Sequence, residues 1–486
     1  MTFRQFLPPL VGVGLIAMLV ACSSNSTTTK PPTPSTANQW AWQAGANVAN
    51  QVGTYGTLGT AASTNVPGAR TAASGSTDKT GNLWLFGGLG YDSIGTDSVL
   101  NDLWEYSPGT AEWTWVGGSN LANQVGTYGT LGTAASANVP GARSAPTSWT
   151  DAAGNFWLFG GTGFDSIGTN SGDARLNDLW EYSAGEWTWV CGSNLANQVG
   201  TYGILGTAAS TNMPGARQHA LNWTDATGNL WLFGGLGYDS VGTNSGTAYL
   251  NDLWEFSPST GEWTWMSGSN VASQVGTYGT MGTAANSNVP GARNAASGWV
   301  DTTGNLWLFG GIGYDSAGTE GGEADLNDLW EYSTSTGEWT WTGGSDTGNE
   351  LGTYGTQGTA AASNVPGARR GAANWTDSAG NFWLFGGNGY DSAGTDGGDT
   401  DLNDLWEYST STGGWTWMGG SNTGGQLGTY GTLGTAAASD VPGARQRAMF
   451  WIDSSGNFWL LGGGGYDSVG TNSGVANLND LWVYEP

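Results

Sequence analysis

A sixfold internal repeat constrains the fold of this chain more than any other feature. The phrase "VPGAR" or "MPGAR" returns at intervals of 73 to 76 residues. Its last residue is Arg70, Arg143, Arg217, Arg293, Arg369 and Arg445. The phrase "LNDLW" and the phrase "GNLWL" or "GNFWL" recur with the same spacing. Internal repetition of this kind predicts an array of equal structural units.

Each repeat carries four short runs that favour β-strands. In the second repeat they are "RSAPTSWTD", "NFWLFGG", "NDLWEYS" and "EWTWV". The first two runs are joined by "DAAG", which has the Asp and Gly positions of a type I turn. Gly accounts for 85 of 486 residues, too many for a helical protein. Four antiparallel strands per repeat are typical of a propeller blade, so we predict an all-β, six-bladed β-propeller.

The ends of the chain predict how the ring of blades closes. The last repeat stops at "NDLWVYEP" and lacks the fourth run. A matching "WAW" stands near the start, at Trp40 to Trp42. We therefore expect this N-terminal strand to complete the sixth blade, which would hide two strand edges that otherwise promote aggregation.

These residues resemble the kelch repeat. The resemblance lies in "WLFGG" followed by an aromatic residue and a Trp, as in Phe256 and Trp263 or Tyr332 and Trp339. It covers the chain from Trp40 onward, although the second blade has a shortened "EYSAGEW". Kelch repeats have about 50 residues, so the extra length here falls in two loops. The resemblance implies a six-bladed kelch propeller of the superfamily that includes the central domain of galactose oxidase. That enzyme's copper chemistry is not implied, because His219 is the only histidine.

The first 39 residues predict export and anchoring. Residues 1–21 have the basic start and short apolar run of a secretory signal. The phrase "LVAC" resembles a bacterial lipobox, which implies lipidation of Cys22. Residues 22–39 are rich in Ser, Thr and Pro and are expected to form a flexible tether. We predict a propeller over residues 40–486 on a protein anchored in the bacterial cell envelope, at the outer membrane or cell surface.

The remaining cysteine and the net charge limit the partners. Lipidation of Cys22 would leave Cys191 alone, so no disulfide framework is expected. A formal charge of -27 argues against nucleic acid and against electrostatic attachment to anionic lipid. We expect a monomer that meets the membrane through its acyl chains only.

The long loops between strands two and three, and between strand four and the next blade, should share one face of the propeller. Long loops on a rigid scaffold commonly carry binding sites. The six repeated arginines should ring the central mouth on this face, joined by Arg370, Arg447 and His219. Kelch propellers that bind ligands there use arginines placed in a similar way, which implies a site for a carboxylate on a partner protein or glycan.

The same arginines have a structural interpretation. An aspartate starts each third strand on this face: Asp102, Asp178, Asp252, Asp328, Asp404 and Asp480. Six more stand in the loops between strands two and three: Asp92, Asp165, Asp239, Asp315, Asp391 and Asp467. Arginines paired with these carboxylates would pin the loops, because buried charges need partners.

Two further ligand hypotheses come from acidic and aromatic residues. Asp391, Asp396, Asp399 and Asp401 form a weak calcium candidate, without the spacing of an EF-hand loop. No other cofactor is indicated. Most of the 29 Trp fall on strands, where core packing is expected. A loop tyrosine in each blade could be exposed or could anchor its loop: Tyr55, Tyr128, Tyr202, Tyr278, Tyr354 and Tyr430.

The near identity of the blades bears on function. An active site needs different residues in different roles, whereas these blades are near copies, apart from changes such as Ser76 in place of a repeated Trp. We therefore favour a binding module for a protein or glycan. The alternative is a carbohydrate-active enzyme resembling the sialic-acid mutarotases, which are also six-bladed kelch propellers. A protein with a purely architectural role would show neither ligand binding nor catalysis.

Overall fold

The computed structural model describes residues 37–169, 174–242, 248–321, 323–398, 400–471 and 476–486. These residues form six antiparallel sheets of the same topology, each of them one blade. The predicted all-β, six-bladed propeller is therefore confirmed. Residues 1–36, with the predicted signal segment and Cys22, lie outside the described residues.

The innermost strand of each blade consists of two segments that pair with the same second strand. The first segments are Arg70–Thr71, Arg143–Ser144, Arg217–Gln218, Arg293–Asn294, Arg369–Arg370 and Arg445–Gln446. The second segments are Ser74–Thr77, Thr147–Thr150, Leu221–Thr224, Ser297–Val300, Ala373–Thr376 and Met449–Ile452. Between them the backbone turns through positive φ, as at His219, where φ is 51°. This break leaves two residues per blade outside the sheet, and the first of the two has positive φ.

The other three strands of each blade are continuous. The second strands are Leu83–Tyr91, Phe156–Gly163, Leu230–Gly237, Leu306–Gly313, Phe382–Gly389 and Phe458–Gly465. The third strands are Asp97–Ser107, Arg175–Ser183, Tyr249–Ser257, Ala324–Ser333, Thr400–Ser409 and Ala476–Glu485. The outermost strands of blades one to five are Glu112–Gly117, Glu186–Cys191, Glu262–Ser267, Glu338–Gly343 and Gly414–Gly419. Short 3₁₀ turns at Thr319–Gly321 and Thr395–Gly398 precede the third strands of blades four and five.

The N-terminal strand closes the ring as predicted. Gln39–Ala44 pairs antiparallel with the third strand of blade six, with Trp40 opposite Tyr484 and Trp42 opposite Trp482. It takes the position that the outermost strands hold in the other five blades. Closure therefore joins the two ends of the described chain within one sheet.

The hydrophobic core lies between neighbouring blades. One cluster joins Trp157 and Leu179 of blade two to Trp254 and Trp263 of blade three. Blade six packs against blade one in the same way, through Trp451 and Leu85 among others. The repeated tryptophans are thus mainly core residues, as predicted. Cys191 packs at the edge of one cluster, where burial raises the pKa of its thiol to about 12.

The two faces of the propeller differ in their connections. One face carries the short turns between strands one and two and between strands three and four, and we call it the turn face. The opposite face carries both long connections, and we call it the loop face. Asn38 lies on the turn face, where its N–H donates to the carbonyl of Glu485 at 2.6 Å. Among the described residues, no helix has the length and hydropathy needed to cross a membrane.

Candidate functional site

The six repeated arginines lie in the protein interior and share one set of contacts. In blade three, Nη1 and Nη2 of Arg217 each donate to a carboxylate oxygen of Asp252 at 2.7 Å. The Nε of Arg217 donates to the carbonyl of Gly215 at 2.9 Å, and Nη1 also donates to that of Gly234. Each of the six arginines is at most 2 % exposed. The same bidentate pairing occurs in every blade.

The partner aspartate also binds the loop tyrosine and a tryptophan. Tyr202 donates its hydroxyl hydrogen to Asp252 at 2.6 Å, and the indole of Trp254 donates at 2.7 Å. Burial and the nearby Asp252 raise the pKa of Tyr202 well above its ordinary value, so the hydroxyl stays a donor. The tyrosines are therefore loop anchors. The geometry matches the structural interpretation of the arginines, whose guanidinium groups point to carboxylates within the blade.

The aspartates that follow the second strands hold the two long loops together. Asp467 accepts backbone N–H groups from Val469 and Thr471 in its own loop and from Ala49 after the N-terminal strand. Matching bonds from both loops occur at Asp92, Asp165, Asp315 and Asp391. Burial opposes ionisation of Asp467, but these bonds prevail and lower its pKa to about 2.

The loop-anchoring carboxylates predict a loss of stability in acid. The pKa values of Asp92, Asp165, Asp315, Asp391 and Asp467 are all lowered in the folded state, despite burial, by hydrogen bonds to the carboxylates. Their contribution should therefore be complete above the unfolded value of about 3.9 and be lost as the pH falls towards 2. Thermal unfolding followed by tryptophan fluorescence should show a Tm that falls over this window. The variant Asp467→Asn should have a lower Tm at pH 7 and a shallower fall in acid, whereas parallel profiles would contradict this assignment.

The calcium candidate falls partly outside the described residues. Both oxygens of Asp391 accept backbone N–H groups, and Asp401 accepts a hydrogen bond from Asn388 at 3.0 Å. Asp399 is not described, and Asp396 is described only for its backbone. Within the described part of the chain, no group of three or more acidic, His or Cys side chains converges.

One set of positions on the loop face differs from blade to blade, although its neighbours are repeated. We call it the mouth row, and it comprises one residue from each of three paired strands. The innermost strands contribute Thr71, Ser144, Gln218, Asn294, Arg370 and Gln446. The second strands contribute Leu89, Thr162, Leu236, Ile312, Asn388 and Gly464. The third strands contribute Val99, Arg175, Tyr249, Asp325, Asp401 and Asn477. No two blades carry the same three residues.

Eleven of the 18 mouth-row residues line a cavity of about 560 Å³ on the propeller axis. Its wall has an apolar part with Leu89, Val99, Leu236 and Ile312, and a polar part that includes Arg370. Cavities of about 300–1,000 Å³ with a few polar groups are typical of small-molecule sites. The variable positions of the repeat thus converge on a space of suitable size for a small ligand.

A closed ring of backbone hydrogen bonds forms the floor of this cavity. The residues at the strand break are Ala72, Ala145, His219, Ala295, Gly371 and Arg447, and all have positive φ. Each donates its N–H to the carbonyl of its counterpart in the preceding blade, at 2.7 to 3.1 Å. The last link runs from Ala72 back to Arg447. This ring constricts the axial channel, and a second cavity of about 210 Å³ lies beyond it.

Arg447 and His219 are the two polar side chains of this ring. Both line the cavities above and below it. Arg447 forms no side-chain hydrogen bond or ion pair with the described residues, and its Nε is buried without a partner. The Nε2 of His219 is likewise buried without one. At Gly371, a Cβ would come within 3.0 Å of Cγ of Arg447, so glycine leaves space for that side chain.

Charged neighbours set the electrostatics around Arg447. Arg370 donates to both carboxylate oxygens of Asp325, at 2.7 and 2.8 Å. Burial and the charge of Arg370 lower the pKa of Arg447, and the charge of Asp401 opposes this in part. Burial and Arg447 hold the pKa of His219 well below 6.5, so the imidazole is neutral at pH 7. The floor thus presents a guanidinium group that forms no ion pair among the described residues, beside a neutral imidazole.

The structure brings only part of the predicted site together. Arg370, Arg447 and His219 all line the mouth cavity, whereas the six repeated arginines are enclosed within their blades. Sequence reasoning did not identify Tyr249 as a residue of the cavity wall, or Asn388 and Asp325 as mouth-row residues beside it. A signal was present for the third strands, because the residue before "LNDLW" has five different identities in the six blades while the phrase itself is constant.

Fold and site together define a six-bladed β-propeller with a cavity of about 560 Å³ at one mouth of its axis. The chain matches no protein-family model, and no curated protein matches its sequence.

Proposed function

We propose that this protein is an exported, lipid-anchored propeller of the kelch type that binds a carboxylate-bearing glycan at the mouth cavity. The observation that carries the proposal is Arg447, a cation on the cavity floor that forms no ion pair or side-chain hydrogen bond among the described residues. Burying a charge is unfavourable unless it is paired. A ligand carboxylate would supply the missing partner through a charge-assisted hydrogen bond.

The rest of the cavity suits a saccharide. Asn294 in the cavity wall has a buried side-chain oxygen without a donor, and so do Asn388 and Gln446 of the mouth row beside it. The orientation of Asn388 is determined, because its Nδ2 donates to Asp401. Sugar hydroxyl groups can donate to such oxygens, and the less polar faces of a sugar ring can pack against Leu236 and Ile312. Both kinds of wall meet in the cavity of about 560 Å³.

The proposed anchor is compatible with an accessible mouth. Asn38, which precedes the N-terminal strand, lies on the turn face. In this proposal a tether with a lipid on Cys22 would join the described chain at this end, on the face opposite the mouth. The loop face would then be free to meet glycans of the cell envelope or of the surroundings.

The binding proposal is tested with sugars that differ only in a carboxylate. Calorimetry of glucuronate against glucose, and of galacturonate against galactose, should show binding of the acids and at least about tenfold weaker binding of the neutral sugars, since a charge-assisted hydrogen bond contributes about 1.5–3 kcal/mol. The variant Arg447→Ala should lose at least about tenfold in affinity for the acids and keep the wild-type Tm. Lys79→Ala, which removes a basic side chain near the turn face, is the matched control and should bind the acidic sugars with the affinity of the wild type.

Other outcomes would favour other functions. Equal binding of acidic and neutral sugars, or wild-type affinity in Arg447→Ala, would contradict the proposal. Binding of acidic peptides without any sugar would favour a protein partner. Interconversion of the anomers of a free acidic sugar, followed by NMR, would favour the alternative of a mutarotase-like enzyme, with neutral His219 beside the substrate.

A further inference from the structure

An asparagine repeated in five blades is replaced by an aspartate where the ring closes. The five are Asn65, Asn138, Asn212, Asn288 and Asn364, and the sixth blade has Asp440. In blade three, Nδ2 of Asn212 donates to the carbonyls of Thr207 and Trp263 at 2.9 and 3.0 Å. Trp263 belongs to the outermost strand, so this amide joins the long loop to the edge of the blade.

Blade six keeps the backbone contacts of this loop. The N–H of Asp440 donates to the carbonyl of Ala437 at 3.0 Å, and that of Ala437 to the carbonyl of Trp40 at 3.4 Å. The equivalents in blade three are Asn212 to Ala209 and Ala209 to Trp263. Asp440 therefore occupies the position of the asparagines, and the carbonyls that correspond to those the asparagines bind are those of Thr435 and Trp40. A carboxylate has no N–H to offer them.

The carboxylate of Asp440 is buried and incompletely paired. Asp440 is 2 % exposed, and its Oδ2 has no hydrogen-bond partner among the described residues. The hydroxyl of Ser439 donates to Oδ1 at 3.4 Å, and the N–H of Gly431 also bonds to the carboxylate. No ion pair to Asp440 occurs within the described residues. A buried carboxylate without a cation is unfavourable, so something must neutralise it.

We propose that Asp440 and the carbonyl oxygens of Thr435 and Trp40 bind a hard cation, Ca²⁺ or Na⁺. Such ions take oxygen ligands from carboxylates, backbone carbonyls and water. A cavity of about 390 Å³, lined by Trp40, Asn403 and Asp440 among others, gives space for water ligands. The cation would do what the asparagine amide does in the other blades, holding the last long loop to the N-terminal strand. This site is distinct from the weak calcium candidate in the loop from Asp391 to Asp401.

The test compares three chloride salts at equal ionic strength. Calcium chloride or sodium chloride should raise the Tm of the protein by roughly 2 °C in a saturable manner, since a ligand that binds only the folded state stabilises it. Choline chloride should not. Comparing the Tm in calcium chloride with the Tm in sodium chloride identifies the ion. Calorimetric titration of that ion into the protein should show one saturable site. Asp440→Asn restores the residue of the other blades, should fold, and should lose both the Tm shift and the titration.

A gain-of-site variant completes the design. Asn364→Asp places a carboxylate at the same position of blade five, opposite the carbonyls of Thr359 and Trp415. It should acquire a second cation-dependent increase in Tm. Equal cation effects in the wild type and Asp440→Asn would overturn the proposal. A second result would also overturn the proposal. In it, the Tm of the wild type does not respond to cations but rises on acidification, whereas the Tm of Asp440→Asn does not rise. A proton would then neutralise the carboxylate in place of a cation.

Discussion

Replacing Asp252 with alanine is expected to lower the free energy of unfolding by about 3 to 5 kcal/mol, because the change leaves a buried guanidinium group without its carboxylate. Arg217 donates twice to Asp252, and Tyr202 and Trp254 donate once each. All four residues lie in the interior. Urea unfolding followed by tryptophan fluorescence measures the loss. The carboxylate is the point where an inner strand, a third strand and a long loop meet, so the loop face of blade three should loosen as well.

Two variants separate the charge from its hydrogen bonds. Tyr202→Phe removes one donor and keeps the ion pair, so a loss of about 1 kcal/mol is expected. The double variant Arg217→Leu with Asp252→Leu removes both charges and should be more stable than Asp252→Ala alone. A smaller effect for Asp252→Ala than for Tyr202→Phe would contradict the assigned role of the pair.

Replacing Trp40 with alanine is expected to lower the free energy of unfolding by about 3–5 kcal/mol and to open the ring. Trp40 is 5 % exposed and packs on Phe385 of blade five and Tyr484 of blade six, with ring centroids 5.2 and 5.0 Å apart. Loss of this anchor should weaken the pairing of a strand of six residues. The last blade would then expose an unpaired edge that can bind a second chain. Size-exclusion chromatography at increasing concentration should detect the resulting oligomers.

Trp263→Ala is the matched control for the closure. Trp263 holds the same position in blade three and is 1 % exposed. The chain continues from both ends of its strand into the rest of the propeller. Loss of the Trp263 side chain should therefore destabilise the core to a similar extent without exposing an unpaired strand edge. Oligomers in both variants, or in neither, would contradict a special role for the N-terminal strand.

The fold could be predicted because strands and turns are encoded locally and repeated. Each blade carries its own strand pattern, and the missing fourth run at the end of the chain has only one matching run, at Trp40 to Trp42. Burial of the tryptophans follows from their position on strands that pack between blades. The break in each innermost strand was not predicted. It depends on the bonds between blades, which hold residues such as Ala72 and His219 at positive φ.

The candidate site could be predicted only in part. Arg370, Arg447 and His219 stood out as departures from the repeat, and they do line the mouth cavity. The six repeated arginines had two interpretations, and the sequence alone left both open. In five of the six pairs the arginine and its aspartate are 35 residues apart in sequence, and their distance in space depends on how three strands and a loop meet.

The sequence by itself determined the number of blades, the strand order and the closure, because periodicity and turn residues act within one repeat. Only the tertiary structure decided which charges are enclosed and which face a cavity. It paired the repeated arginines inside their blades, gathered the variable positions at the axis, and buried Asp440 in the loop that bonds to the closing strand. The physical reason is that the electrostatics of a charged side chain depend on neighbours from distant segments, which no local pattern specifies.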